Sequence, residues 1–330
     1  MIIRFIHTFV LAIAGTFFLY AQDPLKWETV SPAEGNLPPS LKLMRTQSPI
    51  NGKPNIAWCV IADLKDPKLT FSTDTTMGRR LTPAQFYAKN KNPLVVMNGT
   101  FFEFVTNRNL NVVVRDGKLA SYNLHSIAQK GKDTLTFLHP FRSAIGIDAK
   151  GNADVAWIYS DSSTAVPWAS QTPIDALRDS FPLVNADKIL KEHSFQRFGK
   201  TVPFFEPWKV KTAIGGGPVL VQNGKVMITN NEERMFVGKA IDDLHPRSAM
   251  GYTADGKLVM LAVEGRAPGR AEGVSLKQLA NMMLELGCVE ALNLDGGGSS
   301  CMLVNGRETI KPSDKEGQRS VPAVWMILQK

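Results

Sequence analysis

Apolar residues along this chain gather in short runs, and few follow the spacing of a long helix. Residues 56–62, 68–72, 94–97, 258–263 and 289–294 each read as a strand, most of them ended by Gly, Asn or Asp. Helical spacing shows in two places. Leu81-Thr82-Pro83 opens one helix, with Thr82 as N-cap and Pro83 at the first helical position. The other starts with a Ser275/Gln278 capping box. It continues through apolar Leu276, Leu279, Ala280, Met283 and Leu286 and stops at Gly287, directly before the run 289–294. The pattern predicts an α+β fold, mixed sheets with flanking helices.

Two motifs occur twice. Phe141-Arg142-Ser143-Ala144-Ile145-Gly146 is echoed by Pro246-Arg247-Ser248-Ala249-Met250-Gly251. The segment 111–118 is echoed by 218–225, each with an Asp-Gly or Asn-Gly turn signal, and both pairs lie just over a hundred residues apart. This predicts two related halves around one cleft.

Residues 1–21 read as an export signal: Arg4, an apolar run over 9–20, and a cleavage point before Gln22. Residues 22–55, rich in Pro, Ser and Asn, read as an extended N-terminal arm. The span 56–330 then reads as one domain, with 160–211 as an insertion that walls the cleft. No later run is long and apolar enough to cross a membrane, so the expectation is an exported protein, periplasmic, at the cell surface or secreted, without a membrane span after signal cleavage. The net charge of +8 is scattered, with no Lys/Arg block or aromatic-basic stripe; it suits anionic substrates or wall polymers and argues against nucleic acid. Cys59, Cys288 and Cys301 lack metal-ligand spacing and sit among apolar neighbours, as buried free thiols do, although a Cys288–Cys301 bridge is an alternative.

The candidate chemistry concentrates at Asn293-Leu294-Asp295-Gly296-Gly297-Gly298-Ser299-Ser300. A carboxylate at a strand's carboxyl end, three glycines whose N–H groups can approach an anion, and two hydroxyls suit a site. No Lys follows the glycines, so this is not a P-loop, and the string is not a nucleophile elbow. Asn98-Gly99, Arg142-Ser143, Gly215-Gly216-Gly217, His245-Pro246-Arg247-Ser248 and Glu264-Gly265-Arg266 also place polar groups beside strands. Arginine binds phosphate bidentately. Two carboxylates are what most glycosidic hydrolysis requires. Histidines 125, 139, 193 and 245 show no helical zinc spacing, and only His245 lies near a candidate motif.

In this order, Asn98-Gly99-Thr100-Phe101-Phe102, Gly215-Gly216-Gly217-Pro218, the 245–251 motif, Glu264-Gly265-Arg266 and the 293–300 motif resemble the phosphodiester glycosidase family over roughly 56 to the C-terminus. Thr100 replaces a usual Gly, and Glu264 a usual Asp. The resemblance implies hydrolysis of a sugar-1-phosphodiester at the anomeric C–O bond, on a sugar-phosphodiester or cell-wall or surface glycan. Asp295 and Glu264 would be the catalytic pair, one nucleophile or base. Asn98, Gly99, Arg142, Gly216, Gly217, His245, Arg247, Arg266, Asn293, Gly296, Gly297, Gly298, Ser299 and Ser300 would bind substrate. No cofactor is assigned. Two alternatives stand beside this reading. One is a metal-dependent phosphodiesterase cutting P–O, with Asp295, Glu264 and Asn98 as hard-oxygen ligands for Ca²⁺ or Mg²⁺. The other is a non-catalytic wall-glycan binding module with Trp157, Trp168 and Trp208 as sugar platforms.

Overall fold

The computed structural model describes residues 24–130, 135–181 and 205–330, and the backbone of two strands, Ser194–Arg197 and Lys200–Pro203. The span 1–21 expected to be an export signal, His193 and part of the 160–211 segment lie outside the described residues.

Three sheets make the body. The largest runs Glu28–Thr29, Leu41–Thr46, Ala57–Asp63, Lys257–Val263, Arg247–Thr253, Cys288–Asn293, Val219–Gln222, Lys225–Val226 in spatial order. A seven-stranded sheet runs Glu206–Pro207, Trp168–Ser170, Ala153–Tyr159, Ser143–Ile147, Thr212–Gly215, Val113–Arg115, Lys118–Ser121. A five-stranded sheet runs Arg307–Glu308, Met302–Val304, Val95–Asn98, Ala323–Gln329, Leu69–Thr75.

The period-2 alternation of side chains decides what each face covers. On Lys257–Val263, the side chains of Leu258, Met260 and Ala262 join a core that all three sheets share, with Val60, Met97, Ile145, Trp157, Ile214, Leu292 and Trp325. The alternate set, Val259, Leu261 and Val263, packs with Leu276, Leu279 and Met283 of the helix Leu276–Glu285 on the outer face. The helix Pro83–Lys89 likewise covers the five-stranded sheet through Phe86 against Val96, Leu303 and Val324. Both helices begin at the capping boxes read from the sequence, Thr82 with Gln85 and Ser275 with Gln278.

The α+β expectation is corrected here. The chain is predominantly β, with 40% strand and 10% helix, and its sheets are antiparallel rather than mixed. Antiparallel neighbours can be joined by tight turns, which removes the need for crossover helices. Asp116-Gly117 and Asn223-Gly224, all at positive φ, make two such turns. The two helical signatures were real, but they mark short covers and do not form a layer. The echoed segments are hairpins in different sheets: Ser143–Ile147 pairs with Ala153–Tyr159, and Arg247–Thr253 with Lys257–Val263. The three cysteines are buried free thiols.

Candidate active site

Asp295 leaves the carboxyl end of Cys288–Asn293 and is held from behind. Its N–H donates to Gly99 O at 2.9 Å, and its C=O accepts from Asn98 Nδ2 at 2.6 Å. Asn98 is fully buried, and its Oδ1 accepts from Ser248 Oγ at 2.7 Å and from Cys301 N at 3.0 Å. The amide of Asn98 is thus occupied by protein groups; it fixes the turn carrying Asp295 between the largest and the five-stranded sheets. Gly99 supports the same turn through its carbonyl.

The Asp295 residue keeps part of its surface open to solvent. Burial pushes its carboxyl up to about 7, while hydrogen bonds from the Ser299 hydroxyl and the Gly296 N–H, and the charge of Arg319, act in the opposite direction. A carboxyl at that value changes charge near neutral pH, which suits proton transfer.

The glycines let two arginines approach. Gly297 has φ +61°, and a Cβ there would lie 2.9 Å from Arg266 Nη2. At Gly298 a Cβ would lie 2.3 Å from Arg319 Nη2. Any side chain would therefore displace a guanidinium. The turn's amides are mostly committed: Gly297 N–H donates to Pro246 O at 2.8 Å, Ser299 N–H to Gly296 O and Ser300 N–H to Gly297 O. Charge near Asp295 accordingly comes from arginine side chains. Arg319 is paired with Asp314 at 2.6 Å, and its Nη1 donates to Ser299 Oγ at 3.5 Å. Arg266 is exposed.

Arg247 is placed differently. Its guanidinium is buried and donates to the carbonyls of Val274, Ala240 and Asp243, over the ring of Phe236. Burial, with Arg266 nearby, pulls it down to about 10. His245 is half-buried; burial and the charges of Arg247 and Arg266 lower its pKa, which keeps the imidazole neutral at neutral pH. Buried and without a hydrogen-bond partner are His245 Nδ1, Asn293 Oδ1 and Ser300 Oγ, three polar atoms around the Asp295 turn available to a ligand or water.

Gly216 and Gly217 form a neighbouring corner. Gly217 N–H donates to Asn293 O at 2.7 Å, Asn293 Nδ2 donates back to Gly217 O at 2.9 Å, and Gly216 N–H donates to Ser143 O. Arg142 is buried there beside Glu233, and desolvation draws it down to about 10.

Glu264 is not brought into contact with Asp295. It continues the alternation of Met260 and Ala262, on the opposite face of its strand from Arg247's register partner Val263. Its carboxylate is paired with Arg270 at 3.0 Å and accepts from Lys311 N–H at 3.0 Å. The hard-oxygen set Asp295, Glu264 and Asn98 is therefore not assembled, and no group of three or more His, Cys, Asp or Glu is placed for a metal among the described residues. Trp157 and Trp208 are core residues and present no platform.

Residues 178–328 match the phosphodiester glycosidase family. Over that stretch the chain is similar to this family. A 103-residue stretch, 29% of the chain, is 34% identical to the bovine (Bos taurus) N-acetylglucosamine-1-phosphodiester alpha-N-acetylglucosaminidase, and the match spans 19% of that relative's length. The human relative of the same name is 31% identical over 103 residues, covering 29% of the chain and 20% of its own length. In three dimensions the chain is similar to the zebrafish N-acetylglucosamine-1-phosphodiester alpha-N-acetylglucosaminidase catalytic domain, at TM-score 0.55 and 20% identity over 92% of this chain and 88% of that one. A Synechocystis hypothetical protein gives TM-score 0.60 and 14% identity over 93% and 68% of the two chains. These two likenesses concern the fold alone.

Sequence reading did not single out Arg319, Asp314, Phe104 or Glu233. Arg319 reaches Ser299 from a loop 20 residues away with no local motif. Glu233 sits in Asn230-Asn231-Glu232-Glu233, a string that reads as a solvated helix start, yet it is fully buried.

Proposed function

We propose that the protein hydrolyses a sugar-1-phosphodiester at the anomeric C–O bond, releasing sugar and a phosphomonoester. The observation that carries this is the Asp295 carboxyl, raised to about 7 and flanked by Arg266 and Arg319 through glycines that leave room for both. The names of the mammalian relatives, which specify a sugar phosphodiester, support the substrate class.

In this reading Asp295, ionised, accepts a proton from water. The water oxygen bonds to the anomeric carbon as the bond from that carbon to the phosphate oxygen breaks, and the electron pair stays on the departing phosphomonoester. Arg266 and Arg319 bind the phosphate where that charge gathers, which needs no general acid for so stable a leaving group. Asn98 and Arg247 hold the turn and its surroundings in place, and Glu264 is structural. The substrate would be met after export, in the periplasm or at the cell surface, as part of a wall or surface glycan; no helix among the described residues is long and apolar enough to cross a membrane.

Hydrolysis of a synthetic GlcNAc-1-phosphodiester in ¹⁸O-labelled water tests the proposal. Label on the sugar's anomeric hydroxyl is expected. Labelled phosphate, or sugar-1-phosphate as product, would establish P–O cleavage instead.

A further inference from the structure

A cavity of about 640 Å³ lies apart from the residues that hold Asp295. Its wall is made by Thr76–Gly78, by Thr106, Arg108 and Asn109, and by residues 120–126. That volume is within the range of small-molecule sites, roughly 300–1,000 Å³. No residue given a role above contributes to it.

Its lining is largely apolar, through Met77, Ala120, Tyr122 and Leu124, with a cationic edge at Arg108. Tyr122 is 41% exposed, and its hydroxyl has no partner among the described residues. Arg108 is exposed and forms no ion pair among the described residues. Asn109 is fixed between Thr100, whose hydroxyl it accepts, and Thr75 Oγ1 at 2.8 Å, so this wall is preformed. An aromatic face beside the Arg108 guanidinium matches a pyranose ring, which offers one apolar face and an equator of hydroxyls.

The cavity is also joined to the proposed reaction centre. Phe104, 59% exposed, lies on the loop whose next residues, Thr106 and Arg108, line the cavity. The guanidinium of Arg319 lies 5.4 Å from the centre of the Phe104 ring, and that of Arg80 lies 5.3 Å from it. Arg319 reaches Ser299, the hydroxyl bonded to Asp295. Arg80 lies two residues after the Thr76–Gly78 wall, which Asn107 Nδ2 ties to the Phe104 loop through Gly78 O at 3.2 Å. Arg319, Arg80 and Arg108 thus form a row of cations from Asp295 to the cavity. Only Arg319 has a carboxylate partner among them in the described residues. A single sugar phosphodiester would not need such a row, and a neutral lipid aglycone would gain nothing from it.

We infer that this cavity is a subsite for a second glycosyl unit, so that the substrate is a chain of sugars joined by phosphodiesters, with its next sugar in the cavity and its anionic links along the arginine row. This rests on the reading of Asp295 proposed above.

The test is calorimetric binding to Asp295→Asn protein, with two synthetic probes: methyl GlcNAc-1-phosphodiester and a trimer of GlcNAc joined by phosphodiesters. The trimer is expected to bind at least about tenfold tighter. Adding Tyr122→Ala and Arg108→Ala, both exposed enough to spare the fold, should remove that preference and leave affinity for the methyl diester unchanged. Equal affinity for the two probes, or a trimer preference that survives both substitutions, overturns the subsite. Turnover of the methyl diester by protein with Asp295 intact reports on the proposed reaction alone. Its absence beside an intact, Tyr122-dependent trimer preference sinks hydrolysis and keeps the subsite.

Discussion

Two carboxylates lie beside glycine runs, Asp295 just past the strand Cys288–Asn293 and Glu233 in the short helix Asn230–Glu233, and their surroundings separate them. Glu233 accepts from Ser143 N and Oγ, each at 2.8 Å, from Val219 N at 2.9 Å and from Thr229 Oγ1 at 2.6 Å, with no exposure. Ser143 belongs to the seven-stranded sheet and Val219 to the largest, so Glu233 fastens one to the other. Arg142, just before Ser143, lies close enough to favour its charge. Asp295 has the Ser299 hydroxyl and the Gly296 N–H, arginine to either side, and some surface left open. Burial raises both carboxyls. A raised pKa therefore does not mark a reacting group by itself. Unused hydrogen-bonding capacity does, and Asp295, with fewer donors than Glu233, keeps more of it.

The comparison breaks most sharply on Asp295→Asn. Shape is kept and the base is lost, so turnover of a sugar phosphodiester should fall about 10²–10⁴-fold with the fold intact; unchanged turnover in folded protein would remove Asp295 from the reaction. Glu233→Gln should do the reverse. Its new amide would face donors at Ser143 N or Val219 N, costing about 3 kcal/mol or more of stability. A fall in melting temperature, with turnover per folded molecule within a few-fold of native, is the expected pair of readings. Next in size is Arg266→Ala, which should lower kcat/KM on phosphodiesters about 10- to 100-fold and leave the melting temperature alone, because this side chain is exposed.

The pH dependence of stability reads the same carboxyl without a measurement of turnover. Asp295 is raised in the folded state from its ordinary 3.8 to about 7, so the folded protein binds the extra proton between those values. Native protein should lose stability as pH rises from about 4 to about 7 and level off above. The Asp295→Asn variant lacks this term, so its melting temperature should gain on native across that window. Parallel curves would place the carboxyl at its ordinary value. In the same window kcat/KM should rise with pH, since the proposed reaction uses the ionised carboxylate as base.

Local chemistry was the legible part of this chain. Caps at Thr82 and Ser275, turns at Asp116-Gly117 and Asn223-Gly224, and the strand running into Asp295 depend on neighbours within a few residues, and they formed as their sequences indicate. Sheet composition was not legible, because the pairing of Val95–Asn98 with Ala323–Gln329 spans more than two hundred residues and leaves no local trace. The candidate site divided along the same line. The 293–300 motif showed where Asp295 would be, and even that motif could not show that Arg319 would arrive from the C-terminal loops. Glu264 looked like a second catalytic carboxylate because Gly265-Arg266 follows it. The pleat sends its side chain to Arg270 and Lys311 instead.

The clamp at Asn98 has a kinetic consequence. With its amide bonded to Asp295 O, Ser248 Oγ and Cys301 N, releasing the Asp295 turn means parting two sheets at once. The amide protons of Asp295 and Gly297 should therefore trade with deuterium only when the whole domain opens, at the pace of the slowest core amides. A substrate would meet a base already in position, and any accommodation on binding would fall to exposed side chains such as Arg266 and Phe104.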